Sequence, residues 1–111
     1  MAEPRLASGV WVAAYLARLG LANIPAYVLA RGDDTAGAIL VKCARLDGTA
    51  ILLGREWDLL GDSRRWQVQA EAPEAQIDEA IRRQRDIDRD LWVIEIESRD
   101  GRTLLDEDGL R

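Results

Sequence analysis

The sequence predicts an α+β domain: a mostly antiparallel sheet of four to six strands, with two helices forming a single layer on the sheet. Three observations carry this expectation. Two segments have the composition and end signals of helices. Two Asp-Gly pairs, Asp47-Gly48 and Asp100-Gly101, sit between apolar runs as hairpin turns. The clearest strand, residues 91–97, comes only after the second helix.

The first helix is expected over residues 9–21, with Ser8 as its N-cap, Gly20 near its end and Pro25 forbidding continuation. Apolar residues surround most of it, and Arg18 is its only charge. Such a helix must be covered on more than one side, by its own sheet and a loop or by a second subunit. Strand-like runs follow at 27–30, 38–44 and 50–53, the first two separated by the turn-rich Gly32-Asp33-Asp34-Thr35-Ala36-Gly37. A two-residue turn at Asp47-Gly48 puts Cys43 opposite Leu52 and Ala44 opposite Ile51. Apolar residues then fall on both faces of the hairpin, which places it inside the sheet or under cover on both sides.

Residues 55–65 read as the longest irregular segment, and 66–69 as a short edge strand. Ala72-Pro73-Glu74 opens the second helix, which runs to about Asp88 with Ile77, Ala80, Ile81 and Gln84 or Ile87 as its inner stripe. Asp78–Arg82 and Glu79–Arg83 have the spacing of surface ion pairs. In the last strand Trp92, Ile94 and Ile96 share one face, and Glu95 and Glu97 share a face directed at water. After Asp100-Gly101, residues 103–105 are expected to pair back. The whole is one domain over 1–111, with an ordered core of about 8–105 and a short polar C-terminal tail.

Composition narrows function mainly by exclusion. The 111 residues include no histidine and one cysteine, Cys43, so a zinc site and His-based catalysis lose their usual ligands and bases. Ser8, Ser63 and Ser98 have no such base to activate them. Cys43 lies mid-strand among apolar neighbours, where a thiol acts as a small hydrophobe, and Lys42 beside it points to the opposite face. Asp33, Asp34 and Asp47 suit turns and lack the spacing of a calcium loop. No catalytic residue, metal or cofactor is therefore assigned. The net charge of −5 opposes binding to DNA. A role on RNA would require the arginines at 64–65 and 82–85 to share one face. A lone cysteine cannot staple the fold and fits a reducing compartment. Residues 6–17, an uncharged stretch that no other exceeds in length, are too few to span a bilayer, and the acid in the leader argues against a signal peptide. The expected location is cytoplasmic, away from membranes.

One local feature has the composition of a contact site. Trp57, Arg64, Arg65 and Trp66 gather residue types enriched at binding hot spots, and an arginine pair beside indoles suits a carboxylate or phosphate. Crowded acids at Glu56, Asp58 and Asp62 leave room for a carboxylate-based enzyme as a further alternative.

Four segments together, Ser8-Gly9-Val10-Trp11-Val12-Ala13-Ala14-Tyr15-Leu16, Gly37-Ala38-Ile39-Leu40-Val41-Lys42, Leu46-Asp47-Gly48-Thr49-Ala50 and Asp90-Leu91-Trp92-Val93-Ile94-Glu95-Ile96-Glu97, resemble a family of small bacterial proteins catalogued as domain of unknown function 1491. The resemblance runs to about residue 105. It implies a single-domain bacterial protein and carries over no functional residue. The leading reading is a small non-enzymatic interaction module with a protein partner or a second copy of itself, associating through the first helix or a sheet edge.

Overall fold

The computed structural model describes residues 6–61 and 63–111. Its elements run α1 (Ser8–Leu21), β1 (Ala26–Ala30), β2 (Ile39–Ala44), β3 (Thr49–Asp58), β4 (Ser63–Pro73), α2 (Glu74–Ile87) and β5 (Trp92–Glu97). The strands form one sheet in the order β1-β5-β2-β3-β4, antiparallel throughout except for the central β2–β5 pair. This is the α+β class and the mostly antiparallel sheet that the sequence predicts.

The layering differs from expectation. Ile39, Val41 and Cys43 of β2 and Trp92, Ile94 and Ile96 of β5 pack beneath Trp11, Val12, Tyr15 and Leu19 of α1. Leu40, Leu52 and Val93 point the other way, onto Ile77 and Ile81 of α2. The helices therefore cover opposite faces instead of forming one layer. The reason lies in β2, which is buried at every position and so needs cover on both sides.

Each end of α1 has a specific cause. Ser8 is the first helical residue rather than the cap, and its hydroxyl donates to the Gly37 carbonyl at 2.6 Å. The free N–H groups of Ser8 and Gly9 donate to the carbonyls of Thr35 and Asp34. The helix ends at Leu21, as expected, and Asn23 rather than Gly20 makes the turn that closes it. Asn23 is left-handed (φ 58°), its N–H donates to Gly20 and the Ile24 N–H to Leu19, a Schellman end closed by buried Ile24.

The β2–β3 turn is one residue longer than expected. Arg45 N–H bonds the Thr49 carbonyl across three residues, of which Leu46 and Gly48 have positive φ. Cys43 consequently lies opposite Ile51, and Lys42 opposite Leu52. A one-residue slip exchanges the faces of a strand, so Leu52 joins the α2 side.

Where an irregular segment was expected, β3 and β4 form a long hairpin, paired from Thr49–Pro73 out to Asp58–Ser63. An extra residue, Gln69, bulges between the pairs Leu52–Ala70 and Leu53–Val68. Because β2 pairs with β3 only as far as Gly54, the distal part overhangs the sheet as a two-stranded arm. Only Trp66 of this arm packs against the core, so the segment shows no apolar alternation to betray a strand.

On α2, Ile77 and Ile81 are buried as expected, and Gln84 donates to the Gln69 side chain. Ile87 is 88% exposed and falls outside the stripe. The expected surface pairs are re-sorted: Arg82 takes Glu79 and Asp86, and Asp78 turns to Lys42. Residues 103–105 do not pair back, since β5 already has a neighbour on each side. They cross α1 instead. Residues 106–109 are exposed, as their composition suggests, whereas Leu104, Leu105 and Leu110 are buried, so the chain beyond 105 is tied into the core.

Candidate functional site

The overhanging arm carries all four residues singled out in the sequence. Cross-strand pairs fix their directions: Arg55 faces Trp66, Glu56 faces Arg65, and Trp57 faces Arg64. Alternation puts Trp57, Arg64 and Trp66 on the α1 side and Arg65 on the other. The two arginines therefore do not close on one anion as a pair. Trp57 is 53% exposed, and beyond it Leu59 and Leu60 are more exposed still, Leu60 completely.

Trp66 turns inward. Its ring centre lies 5.3 Å from that of Trp11, which in turn lies 4.9 Å from Tyr15. The Arg55 guanidinium sits over both indoles, 4.9 Å from Trp11 and 5.0 Å from Trp66. Three donors from this stack converge on the carbonyl oxygen of Leu110: Trp66 Nε1 at 2.9 Å, Arg55 Nη2 at 3.1 Å and Trp11 Nε1 at 3.3 Å. The segment holding Leu110 is strapped across α1 by Tyr15 Oη donating to the Thr103 carbonyl and Arg18 Nη1 donating to that of Asp108. Sequence pattern hid this cluster, because its members are separated by up to 99 positions.

A second arrangement also escaped the sequence. Lys42, 3% exposed, reaches Asp78 at 2.8 Å, Glu95 at 2.8 Å and Glu74 at 3.0 Å. Burial opposes its charge, but hydrogen bonds to these carboxylates outweigh that and hold the ammonium well above the usual lysine range. Glu95 is thus turned to Lys42 rather than left to water. The only lysine in the chain was the available signal. Cys43, on the opposite face, is fully buried, and burial raises its thiol above the ordinary value, which disfavours the thiolate.

Among the described residues no group of three or more His, Cys, Asp or Glu is arranged to hold a metal ion. Arg64 lies on the α1 side of the sheet and Arg65 on the side that α2 covers, so the arginines of 64–65 are divided between the two faces. A shallow depression of about 490 Å³ lies at the other end of the sheet, between residues 22–25 and 97–100.

The outer face of α1 carries no charge. Val10, Ala13, Ala14, Ala17 and Leu21 are exposed, while the sheet and the strap cover the rest. No described helix is long and apolar enough to cross a membrane.

Comparison with known proteins places this architecture. A crystal structure of a DUF1491 family protein from Caulobacter crescentus superposes with a TM-score of 0.80 at 39% identity, covering 92% of this chain and 94% of that one. An NMR structure of a DUF1491 family protein from the same organism gives 0.80 at 38% identity, covering 95% and 96%. A solution structure from A. tumefaciens gives 0.72 at 32% identity, covering 86% and 87%. No curated protein matches the chain. The family model described as "protein of unknown function (DUF1491)" matches residues 6–106, and with solved relatives that superpose over most of its length, the chain belongs to the DUF1491 family, whose function is unknown.

Proposed function

We propose that the protein is a non-enzymatic cytoplasmic interaction module that self-associates through the outer face of α1. The observation that carries this reading is the run Val10, Ala13, Ala14, Ala17 and Leu21, exposed and without a charge, on a helix whose other sides are covered from within the chain. Small residues at this spacing let a second helix approach closely. The sheet edges suit the role less well. β1 is interrupted by a bulge between Val28 and Ala30, and β4 by the bulge at Gln69, and bulged edges resist strand addition. The exposed tip of the arm, Trp57, Leu59 and Leu60, gives a different protein partner a second place to bind, with Arg64 beside it. A reduced, buried Cys43 accords with the cytoplasm.

Light scattering coupled to size exclusion at about 10–100 μM, where interfaces of ordinary affinity assemble, is expected to give a dimer. Ala17→Glu sets like charges face to face across a two-fold and should weaken the dimer about 100-fold or more while leaving the melting temperature of the monomer unchanged. A strictly monomeric unmodified chain ends this reading.

A further inference from the structure

We propose that Trp11, Arg55 and Trp66 form an oxyanion socket for the carboxylate of an aliphatic residue, and that Leu110 is its built-in competitor. A backbone carbonyl has two lone pairs and no net charge, yet three donors, one of them a guanidinium, point at the Leu110 oxygen. That donor set exceeds what a neutral carbonyl can use. A carboxylate offers about four acceptor positions and a full charge, and charge-assisted bonds to it are about twice as strong. The aromatic rings cover the donors in part, which raises the advantage of a charged acceptor.

The occupant also specifies the shape of the ligand. Leu110 is buried, so a branched aliphatic side chain already fills the space beside the donors. The matching chemistry is a leucine-like residue bearing a free carboxylate, as at the end of a peptide. The strap that delivers Leu110 is held mainly by backbone carbonyls, Thr103 to Tyr15 and Asp108 to Arg18, with a left-handed Gly109 (φ 87°) between them and Leu110. Leu104 and Leu105 anchor the start of the strap in the core, and after them only Leu110 itself is buried, since residues 106–109 are exposed. This socket uses the inner side of α1, so it stands independently of association through the outer side.

The test follows the indole N–H resonances of the full chain during titration with N-acetyl-leucine, and separately with its neutral analogue N-acetyl-leucinamide. Trp11 and Trp66 should shift saturably, whereas Trp92, whose indole donates to the Asp33 carbonyl, should not. The acid should bind about ten-fold or more tightly than the amide. Leu110→Ala and Gly109→Ala both loosen the strap, the second because a Cβ there would lie 3.0 Å from Arg18 Nη2 on a left-handed backbone. Either should bind N-acetyl-leucine about ten-fold more tightly than the unmodified chain, since the competitor is weakened. Arg55→Gln in the same background should abolish the preference for the acid. Equal affinity for acid and amide, or no saturable shift in Gly109→Ala while the Trp92 signal is unchanged, overturns the proposal. If Leu110→Ala fails to fold, Gly109→Ala decides alone. Affinity that is the same with and without the loosened strap removes the competitor. Ala17→Glu, which tests association, should leave every one of these titrations unchanged.

Discussion

Lys42 shows how one side chain can fasten two layers. Its position opposite Leu52 on β3 and beside Glu95 on β5 directs it at α2, where Glu74 and Asp78 complete its shell. A folded-state pKa above the unfolded value means that this stabilisation is complete below the usual lysine range and is lost only as pH rises beyond it. The charge is therefore fixed throughout the physiological range. Lys42→Met leaves three carboxylates facing one another, and we expect a loss of about 3 kcal/mol, at the low end for a broken buried pair because Glu74 and Asp78 can turn to solvent. The denaturant midpoint should fall with the slope unchanged. Adding Glu95→Gln should recover part of the loss, because the sites are coupled. Reading the sequence identified Lys42 as the only lysine and placed it on the face opposite Cys43. Its partners come from two other elements, 32 to 53 positions away, and no local pattern connects them.

At the scale of elements, the 32–37 loop governs how α1 meets the sheet. It accepts the first N–H groups of the helix through Asp34 and Thr35, and it takes the Trp92 indole through Asp33. The turn chemistry of this loop was legible, since Asp33 does accept from Thr35 and Ala36 as turn aspartates do. The close approach was not. A Cβ on Gly37 would come within 2.3 Å of the Asp90 carbonyl oxygen, a backbone atom that cannot swing aside. Gly37→Ala is expected to cost about 2 kcal/mol, in the range of overpacking, and to lower the melting temperature in calorimetry. The arm gives the complementary lesson. Apart from the edge strand expected at 66–69, its pairing was invisible because Arg, Glu, Gln and Trp alternate there with little core to select apolar residues, yet Glu56 pairs with Arg65 and Trp57 with Arg64 across the strands. The candidate residues were found by type, and the structure then separated them, with Trp66 inside, Trp57 outside and Arg65 on the other face.

For the molecule as a whole, the strongest pH response is expected on the acid side. Asp100 is held below the ordinary carboxylate range by the Arg102 N–H and then by the Ser98 hydroxyl, and Asp47 by the hydroxyl and then the N–H of Thr49. A lowered folded-state value means that stability is present above the unfolded value and is lost as pH falls through the folded one. The melting temperature should drop between about pH 5 and pH 3, around the reference aspartate value. Asp100→Asn, which cannot titrate, should flatten part of that fall.

Sequence alone determined the composition of the parts: which segments form helices, that the sheet is mostly antiparallel, that Cys43 is hidden and that α1 has too little polar surface to stand uncovered. These follow from periodicity, turn chemistry and charge, all of which act over a few residues. Only the tertiary structure decided the rest. Both faces of β2 required cover, so the helices went to opposite sides. A three-residue turn moved Leu52 across the sheet, and a fully paired β5 sent the following segment over α1, where Leu110 meets Trp11, Arg55 and Trp66. Those outcomes depend on which surfaces remain unpaired once the sheet is assembled, and that quantity is set by the whole chain at once.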